Sequence, residues 1–404
     1  MIYLVSLSIF TGIILVLVLL LLFVENRIVQ KGERRIIINE DADEPITAPT
    51  GSSLLTALSR NSIYLPSACG GSGSCGLCKC KVTEGGGEIL PTELPHLSRQ
   101  DKAENIRLSC QLKIREDMKV EIPPEIFSIR KFAGTVASNK NVATFIKELI
   151  VDLDEPVEFD AGIYMQIDIP EYSVSFSEFD IEAPFRATWE HYKLWDLKAV
   201  NEEPVFRAYS AANPPSDNQR MVFNVRIATP PPDIPEAPPG VGSSYIFSLK
   251  PGDRVSMSGP FGEFFVQDTE REMCFVGGGA GMAPMRSHLR HQLLTRRTTR
   301  KTTFWYGARN RMEMFYDAEF QEIDEQFKNF SYHVALSEPL PDDKWKGMVG
   351  FIHQCLHNHY LQDHPDPSEI EYYLCGPPPM ITAMKLMLDN LGVEPEMISY
   401  DEFS

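Results

Sequence analysis

FVGGGAGMAPM, residues 275–285, runs from an apolar stretch through a set of glycines into a segment with helical spacing. A strand that ends in glycines and opens a helix is the setting a dinucleotide phosphate loop requires. The pattern is not G-x-G-x-x-G. Counted from Gly279 it is G-x-G-x-x-P, through Gly281 and Pro284. Glycines let phosphates approach the backbone, and proline suits the first turn of a helix. A purely structural turn would leave the same trace, so the neighbouring segments have to decide.

Downstream they alternate. TTFWYGA (302–308), YHVAL (332–336), EYYLCG (371–376) and MISY (397–400) read as strands. Helical patterns lie between them: after Pro284, over MFYDAEFQEIDEQF (314–327), over FIHQCLHNHYL (351–361) and from Pro379. Strands alternating with helices predict a parallel sheet covered on both faces, a doubly wound α/β nicotinamide-binding domain over 271–404. LCGPPPM (374–380) closes one of these strands, and ligands bind at the carboxyl ends of such strands. Cys375 is therefore expected near the nicotinamide ring, as a positioning residue rather than a nucleophile, since no histidine partner is evident. The chain ends SYDEFS. A terminal aromatic can stack on a flavin and be displaced by nicotinamide, and Phe403 is preferred to Tyr400 for that role.

Upstream, residues 131–270 read as short β-branched stretches such as MQIDIP and MVFNVRI, broken by turns. That pattern predicts an antiparallel β-barrel. FRAYSAA (206–212) places Arg207, Tyr209 and Ser210 in an R-x-Y-S arrangement. An arginine fork suits a pyrophosphate, a tyrosine ring can lie on a flavin face, and a serine hydroxyl can bond a ring nitrogen. Alone, so short a motif reads better as an ordinary strand. PGVGSSYIFSL (239–249) then turns into a short helix whose first residues, Gly242, Ser243 and Ser244, can hold a phosphate with backbone donors. SGPFGEFF (258–265) closes the barrel.

Residues 36–130 are glycine-rich around a cysteine cluster. Cys69, Cys75 and Cys78 give C-x5-C-x2-C in CGGSGSCGLC, and Cys110 follows 32 residues later. A compact loop that supplies three thiolates, with a fourth from a distant strand, matches iron–sulfur ligation, one residue longer than the plant-type C-x4-C-x2-C. Glycines let amide N–H groups turn towards the cluster sulfurs. The alternative, structural zinc, usually brings two C-x2-C pairs. Cys80, Cys274 and Cys355 are expected to be packing thiols.

The first 24 residues carry no charge. The run is long enough to cross roughly 30 Å of hydrocarbon as one helix, and it lacks the basic start and cleavage site of a signal peptide. Arg27, Lys31, Arg34 and Arg35 follow it, which predicts a single-pass anchor and linker over 1–35 with the remainder in the cytoplasm. Reduced thiols there argue against a disulfide framework. A net charge of −18 excludes a nucleic-acid binder of the ordinary basic kind. The nine histidines, His357 and His359 among them, read as surface or packing residues.

R-A-Y-S, P-G-V-G-S-S, G-A-G-M-A-P and C-G-P-P-P-M occur in the order of the ferredoxin–NADP reductase superfamily. With a ferredoxin-like segment in front and an uncharged helix before that, the whole chain resembles the family of F subunits of bacterial sodium-translocating NADH:quinone reductases. The resemblance implies a multidomain protein: a transmembrane helix, an α+β ferredoxin-like (β-grasp) domain, an FAD barrel and an NADH domain. It implies that Cys69, Cys75, Cys78 and Cys110 ligate a 2Fe–2S cluster. Arg207, Tyr209, Ser210, Gly242, Ser243 and Ser244 would bind FAD, and Gly279, Gly281, Cys375 and Gly376 would receive NADH. Ser210, Cys375 and Phe403 would serve the hydride step. A hydride carries two electrons and the cluster accepts one, so a flavin is the converter between them.

It implies, too, a bacterial inner-membrane location beside integral membrane subunits. Those partners would handle sodium and quinone, because an ion path needs polar groups in the membrane and this run offers only Ser6, Ser8, Thr11 and one glycine. The preference for NADH rests on the resemblance, since Arg309 and Arg311 stand where a 2′-phosphate would be met. Residues 171–204, with Trp189 and Trp195, exceed a minimal barrel and read either as a partner-facing insertion or as a solvated excursion. Two competing readings remain: the reductase component of a multicomponent oxygenase, normally soluble, and a zinc-bound membrane scaffold without redox activity.

Overall fold

The computed structural model describes residues 10–20 and 32–402. Phe403 and most of the uncharged run lie outside the described residues. Residues 10–20 are helical with every side chain exposed, and among the described residues no helix is long and apolar enough to cross a membrane. The expected spanning helix therefore has no support in the structure. Two compact units divide the chain: one of residues up to 65 with 71–128, the other of 66–70 with 129 onward.

The first unit carries strands β1 (Glu33–Ile38), β2 (Asp41–Pro49), β3 (Lys79–Glu84), β4 (Ile106–Leu108) and β5 (Met118–Glu121). They form one mixed sheet in the order β2-β1-β5-β3-β4, with β1 and β5 parallel. The helix Leu54–Arg60 buries Leu54, Leu55, Ala57 and Leu58, a spacing that places all four on one helical face. Ser53 caps it by accepting from the Thr56 N–H at 3.1 Å, which satisfies one of the orphan donors of the first turn. Arg107 and Glu93 form a buried pair at 2.6 Å. The guanidinium also donates to the carbonyls of Gly86, Gly87 and Glu88, and the carboxylate accepts from the N–H groups of Leu90 and Leu108. Full satisfaction is what makes a buried pair tolerable. Here it ties the 86–93 loop to the strand that leads into Cys110.

In the second unit, β6 (Arg130–Ala143), β7 (Ile146–Leu153), β8 (Tyr164–Ile169), β11 (Val205–Ser210), β12 (Arg220–Arg226) and β13 (Arg254–Phe261) form an antiparallel sheet in the order β11-β8-β13-β6-β7-β12. An Ala211–Phe223 bridge joins the two ends and closes it into the barrel expected from the short β-branched stretches. A separate ribbon of β9 (Tyr172–Ser175) and β10 (Lys198–Asn201) belongs to the 171–204 insertion. That insertion is no solvated excursion. Phe176, Phe179, Ile181, Trp189, Leu194 and Ala199 are buried together with Ile227 and Phe247 of the barrel. Lys147, also buried, donates to the carbonyls of Asn139 at 3.0 Å and Asp180 at 2.7 Å.

The remaining strands are β14 (Met273–Gly278), β15 (Thr302–Ala308), β16 (Phe330–Leu336), β17 (Met348–Val349), β18 (Glu371–Gly376) and β19 (Ile398–Glu402). They pair in parallel, in the order β17-β16-β15-β14-β18-β19. Chain order runs one way from β14 to β17 and then jumps to the other side. The switch point lies between β14 and β18, where doubly wound sheets place their ligand crevice. Helices sit between the strands as expected, with shifted ends: the helix near Pro284 begins at Met282, and the next spans Asp317–Gln326 because Tyr316 adopts φ 58°.

Candidate functional site

Residues from both sides of the switch point meet closely. Gly279 adopts φ +56°, in the left-handed region that favours glycine. A Cβ on Gly281 would stand 2.1 Å from the Cys375 carbonyl oxygen, and one on Gly376 would stand 2.6 Å from Met380. Gly281 is thus required by the approach of the β18 end, and Gly279 by its backbone conformation. Cys375 is fully buried. Burial, then the nearby Asp401 carboxylate, push its thiol well above the usual range, so it is protonated and a poor nucleophile.

Cys375 and Asp401 are partners in the β18–β19 register. Ser210, the last residue of β11, donates its hydroxyl to Asp401 Oδ2 at 3.2 Å. Burial raises the Asp401 carboxyl, and the Ser210 hydroxyl pulls it partly back. Three strands far apart in sequence therefore bring Ser210, Cys375 and Asp401 to one place. Asp401 is a functional candidate that motif reading passes over. Only the parallel register of the last strand singles it out from its neighbours in SYDEFS.

The flavin motif is assembled on β11 and the helix Val241–Ser248. A Cβ on Gly242 would lie 2.7 Å from both Arg207 Cγ and Tyr209 Oη, so the glycine lets the helix start rest against these side chains. Arg207 donates to the Phe206 carbonyl at 2.7 Å. The Ser243 hydroxyl is committed to structure, accepting from the Ala228 N–H at 3.0 Å and donating to the Gly240 carbonyl at 3.2 Å. Ser244 Oγ is buried and makes no hydrogen bond among the described residues. An orphaned buried hydroxyl, uncapped helix N–H groups and a glycine cradle fit a dinucleotide pyrophosphate.

In the cysteine loop Gly70, Gly71, Gly73 and Gly76 all adopt positive φ. Cβ atoms on Gly73 and Gly76 would stand 2.4 Å from Gln111 and 2.8 Å from His96. Cys78 and Cys110 are buried and face each other. The hydrogen bond to Cys110 and then burial push the Cys78 thiol far above its usual range. Gln111 Nε2 donates to Cys110 Sγ at 3.5 Å, and the Ser109 N–H donates to the Cys78 carbonyl at 2.9 Å. Cys75 is half-buried, and Cys69 belongs to the 66–70 stretch that groups with the second unit.

No disulfide joins any of the eight cysteines. Among the described residues no three His, Cys, Asp or Glu side chains are arranged to hold a metal ion; of the four predicted ligands, the structure pairs Cys78 with Cys110. A glycine-wrapped loop with paired buried thiols nevertheless fits a thiolate-held cluster. Cys80, Cys274 and Cys355 are buried. Among the predicted packing histidines, His288 is buried, and burial pushes its imidazole down to about 4.

Three family models match in sequence: the 2Fe-2S iron-sulfur cluster binding domain over 37–115, the Oxidoreductase FAD-binding domain over 188–266 and the Oxidoreductase NAD-binding domain over 275–385. The chain is 51% identical over 396 residues to the F subunit of the Na(+)-translocating NADH-quinone reductase of Klebsiella pneumoniae, covering 98% of this chain and 97% of that one. It is 50% identical, with the same coverage, to the F subunit of the Yersinia pseudotuberculosis enzyme. Among solved structures, a ferredoxin reductase in carbazole 1,9a-dioxygenase matches with TM-score 0.61 and 26% identity over 93% of this chain and 99% of that one. The Amycolatopsis cytochrome P450 reductase GcoB shares the fold, with TM-score 0.62 and 23% identity over 92% and 98% of the two chains.

Proposed function

The chain belongs to the family of F subunits of the Na(+)-translocating NADH-quinone reductases, and from that premise we propose how its residues divide the work of electron input. The protein is a component of an NADH:quinone oxidoreductase, with FAD-binding, NAD-binding and 2Fe-2S domains. The observation that carries this reading is a match of one half identity across the full length, with the three domain models in order. FAD held by this chain would supply the conversion between the electron pair of NADH and the single electrons that a 2Fe–2S centre accepts.

The chain's own residues place these groups. Gly279 and Gly281 open the backbone to the nucleotide phosphates. Cys375 and Gly376 shape the floor beneath the nicotinamide. Arg207, Tyr209, Gly242, Ser243 and Ser244 hold the flavin and its pyrophosphate. Ser210, whose hydroxyl donates to Asp401, serves the hydride step beside Cys375, and Phe403, outside the described residues, is the aromatic that the family resemblance implies for the flavin. Cys69, Cys75, Cys78 and Cys110 ligate the cluster. No side-chain base is needed, because the step moves a hydride rather than a proton.

The uncharged run of residues 1–24, followed by Arg27, Lys31, Arg34 and Arg35, supports a single-pass anchor in the bacterial inner membrane with the catalytic units in the cytoplasm. Integral membrane partners then carry quinone and sodium. Anaerobic titration of the full-length protein with NADH, followed optically and by electron-spin resonance, tests the scheme. One FAD bleaches and a reduced 2Fe–2S signal grows in; Cys75→Ala keeps the first and loses the second. A colourless protein, or one that carries zinc, overturns it.

A further inference from the structure

The 171–204 insertion grips one hairpin of the barrel at three points. The Trp189 indole donates to the Thr144 carbonyl at 2.8 Å, Glu182 accepts from the Asn141 N–H at 3.0 Å, and the Asp180 carbonyl accepts from Lys147. Thr144 sits in the turn between β6 and β7 and is buried. Its opposite side is taken by Glu313. The Thr144 N–H donates to Glu313 Oε2 at 3.3 Å, and its hydroxyl donates to Glu313 Oε1.

Glu313 ends the 3-10 turn Arg311–Glu313, which Asn310 caps by accepting from the Met312 N–H at 3.0 Å. That turn follows β15 at the carboxyl edge of the sheet, and Gly307 pairs with Gly278 of the phosphate-loop strand. A second tie lies just beyond it. Tyr316 donates its hydroxyl to Glu148 and accepts from Asn224 Nδ2 at 2.8 Å. Residues 313–316 are thus pinned to the barrel at Glu313 and Tyr316, through two acidic side chains and two hydroxyls. In doubly wound sheets the end of the second strand meets the adenosine ribose. Here that stretch contains Arg309 beside Glu338 at 3.8 Å, and Arg311 tied to Asp343.

The geometry points to Thr144 and Glu313 as positioning residues for nucleotide affinity, with Trp189 of the insertion as the brace behind them. Neither residue touches the reacting atoms. They set where the ribose-facing turn stands relative to the phosphate loop, and the insertion holds the hairpin that holds the turn. The inference rests on the proposed function, because it presumes that the crevice receives NADH.

Full-length protein is assayed for NADH oxidation with ferricyanide, with FAD content and melting temperature recorded for each variant. A hydrogen bond to a charged group is worth enough to expect about a five- to tenfold rise in KM for NADH in both Thr144→Val and Glu313→Ala, with kcat within about twofold. The double variant should rise no further than Glu313→Ala, which already removes both bonds to Thr144 while Thr144→Val removes only the hydroxyl one. Glu313→Gln keeps one acceptor and recovers part of the KM. Trp189→Phe, which keeps the aromatic packing and loses only the indole N–H, raises KM by about twofold for a neutral bond, and it serves if Glu313→Ala loses FAD. A merely structural contact would instead lower kcat, FAD content and melting temperature together with KM unmoved, or give single effects that multiply; either result overturns the inference. Wild-type protein that oxidises no NADH would sink the underlying reading instead.

Discussion

The cysteine loop and the proposed hydride pocket are built by opposite means. In the loop, three of the four thiols lie within ten residues, and four glycines at positive φ turn the backbone around them. In the pocket, Ser210, Cys375 and Asp401 arrive on three separate strands, and Ser210 bonds Asp401 across 191 residues of chain. A local device depends on its own backbone and on a few neighbours such as Gln111 and the Arg107–Glu93 pair. A converging device depends on the packing of whole sheets. Damage should therefore stay confined in the first case and spread in the second.

The largest effect tests that separation. Cys78→Ala removes one of the two facing thiols, and complete loss of the reduced 2Fe–2S signal is expected while NADH still bleaches the flavin. Ser210→Ala is the reciprocal change, with iron retained and flavin reduction slowed. Stopped-flow absorbance and electron-spin spectra on the same samples read both. Loss of flavin reduction in Cys78→Ala would break the comparison.

Next in size is Gly281→Ala. Its new Cβ must displace the Cys375 carbonyl, 2.1 Å away. Overpacking of this kind costs about 1–3 kcal/mol, so kcat/KM for NADH should fall by roughly tenfold to a hundredfold, with the iron signal intact. Gly279→Ala meets no atom within 4 Å and is strained only by its φ of +56°, so a smaller loss of about 1 kcal/mol is expected. Equal losses in the two would show that space at the crossing of β14 and β18 is not what governs the site.

These differences also decide what could be read in advance. Cys69, Cys75 and Cys78 are legible because their spacing is the geometry of the loop, and FVGGGAGMAPM because strand, glycines and helix succeed one another without interruption. The barrel is legible from the short β-branched stretches of β8 and β12, broken by turns. Asp401 is not, since its meaning comes from lying opposite Cys375 in a parallel register that no local pattern encodes. The insertion misleads for a related reason. Phe176, Phe179, Ile181 and Trp189 are spread over a 3-10 turn, a loop and a helix with a weak apolar stripe, and they become a core only against Ile227 and Phe247. The first helix of the nucleotide sheet begins at Met282 rather than after Pro284 because proline is accommodated within a first turn.

The smallest effect concerns the charge of Asp401. Burial raises its carboxyl above the value near 3.9 expected of an unfolded chain. A carboxyl raised in the fold favours the folded state while it is protonated. That contribution is full below the unfolded value and is lost as pH rises through the folded one, so above that window the ionised group opposes folding. Asp401→Asn should then melt slightly higher than wild type near pH 8 and converge with it in acid. Ser210→Ala should do the reverse at pH 8, because it removes a donor from a half-buried charge, a loss of about 1 kcal/mol. If Asp401→Asn gains stability and also loses flavin reduction, the carboxylate is kept at the site for the reaction, against the interest of the fold. A variant that melts lower at pH 8 would show that the Asp401 carboxylate stabilises the pocket by more than its burial costs.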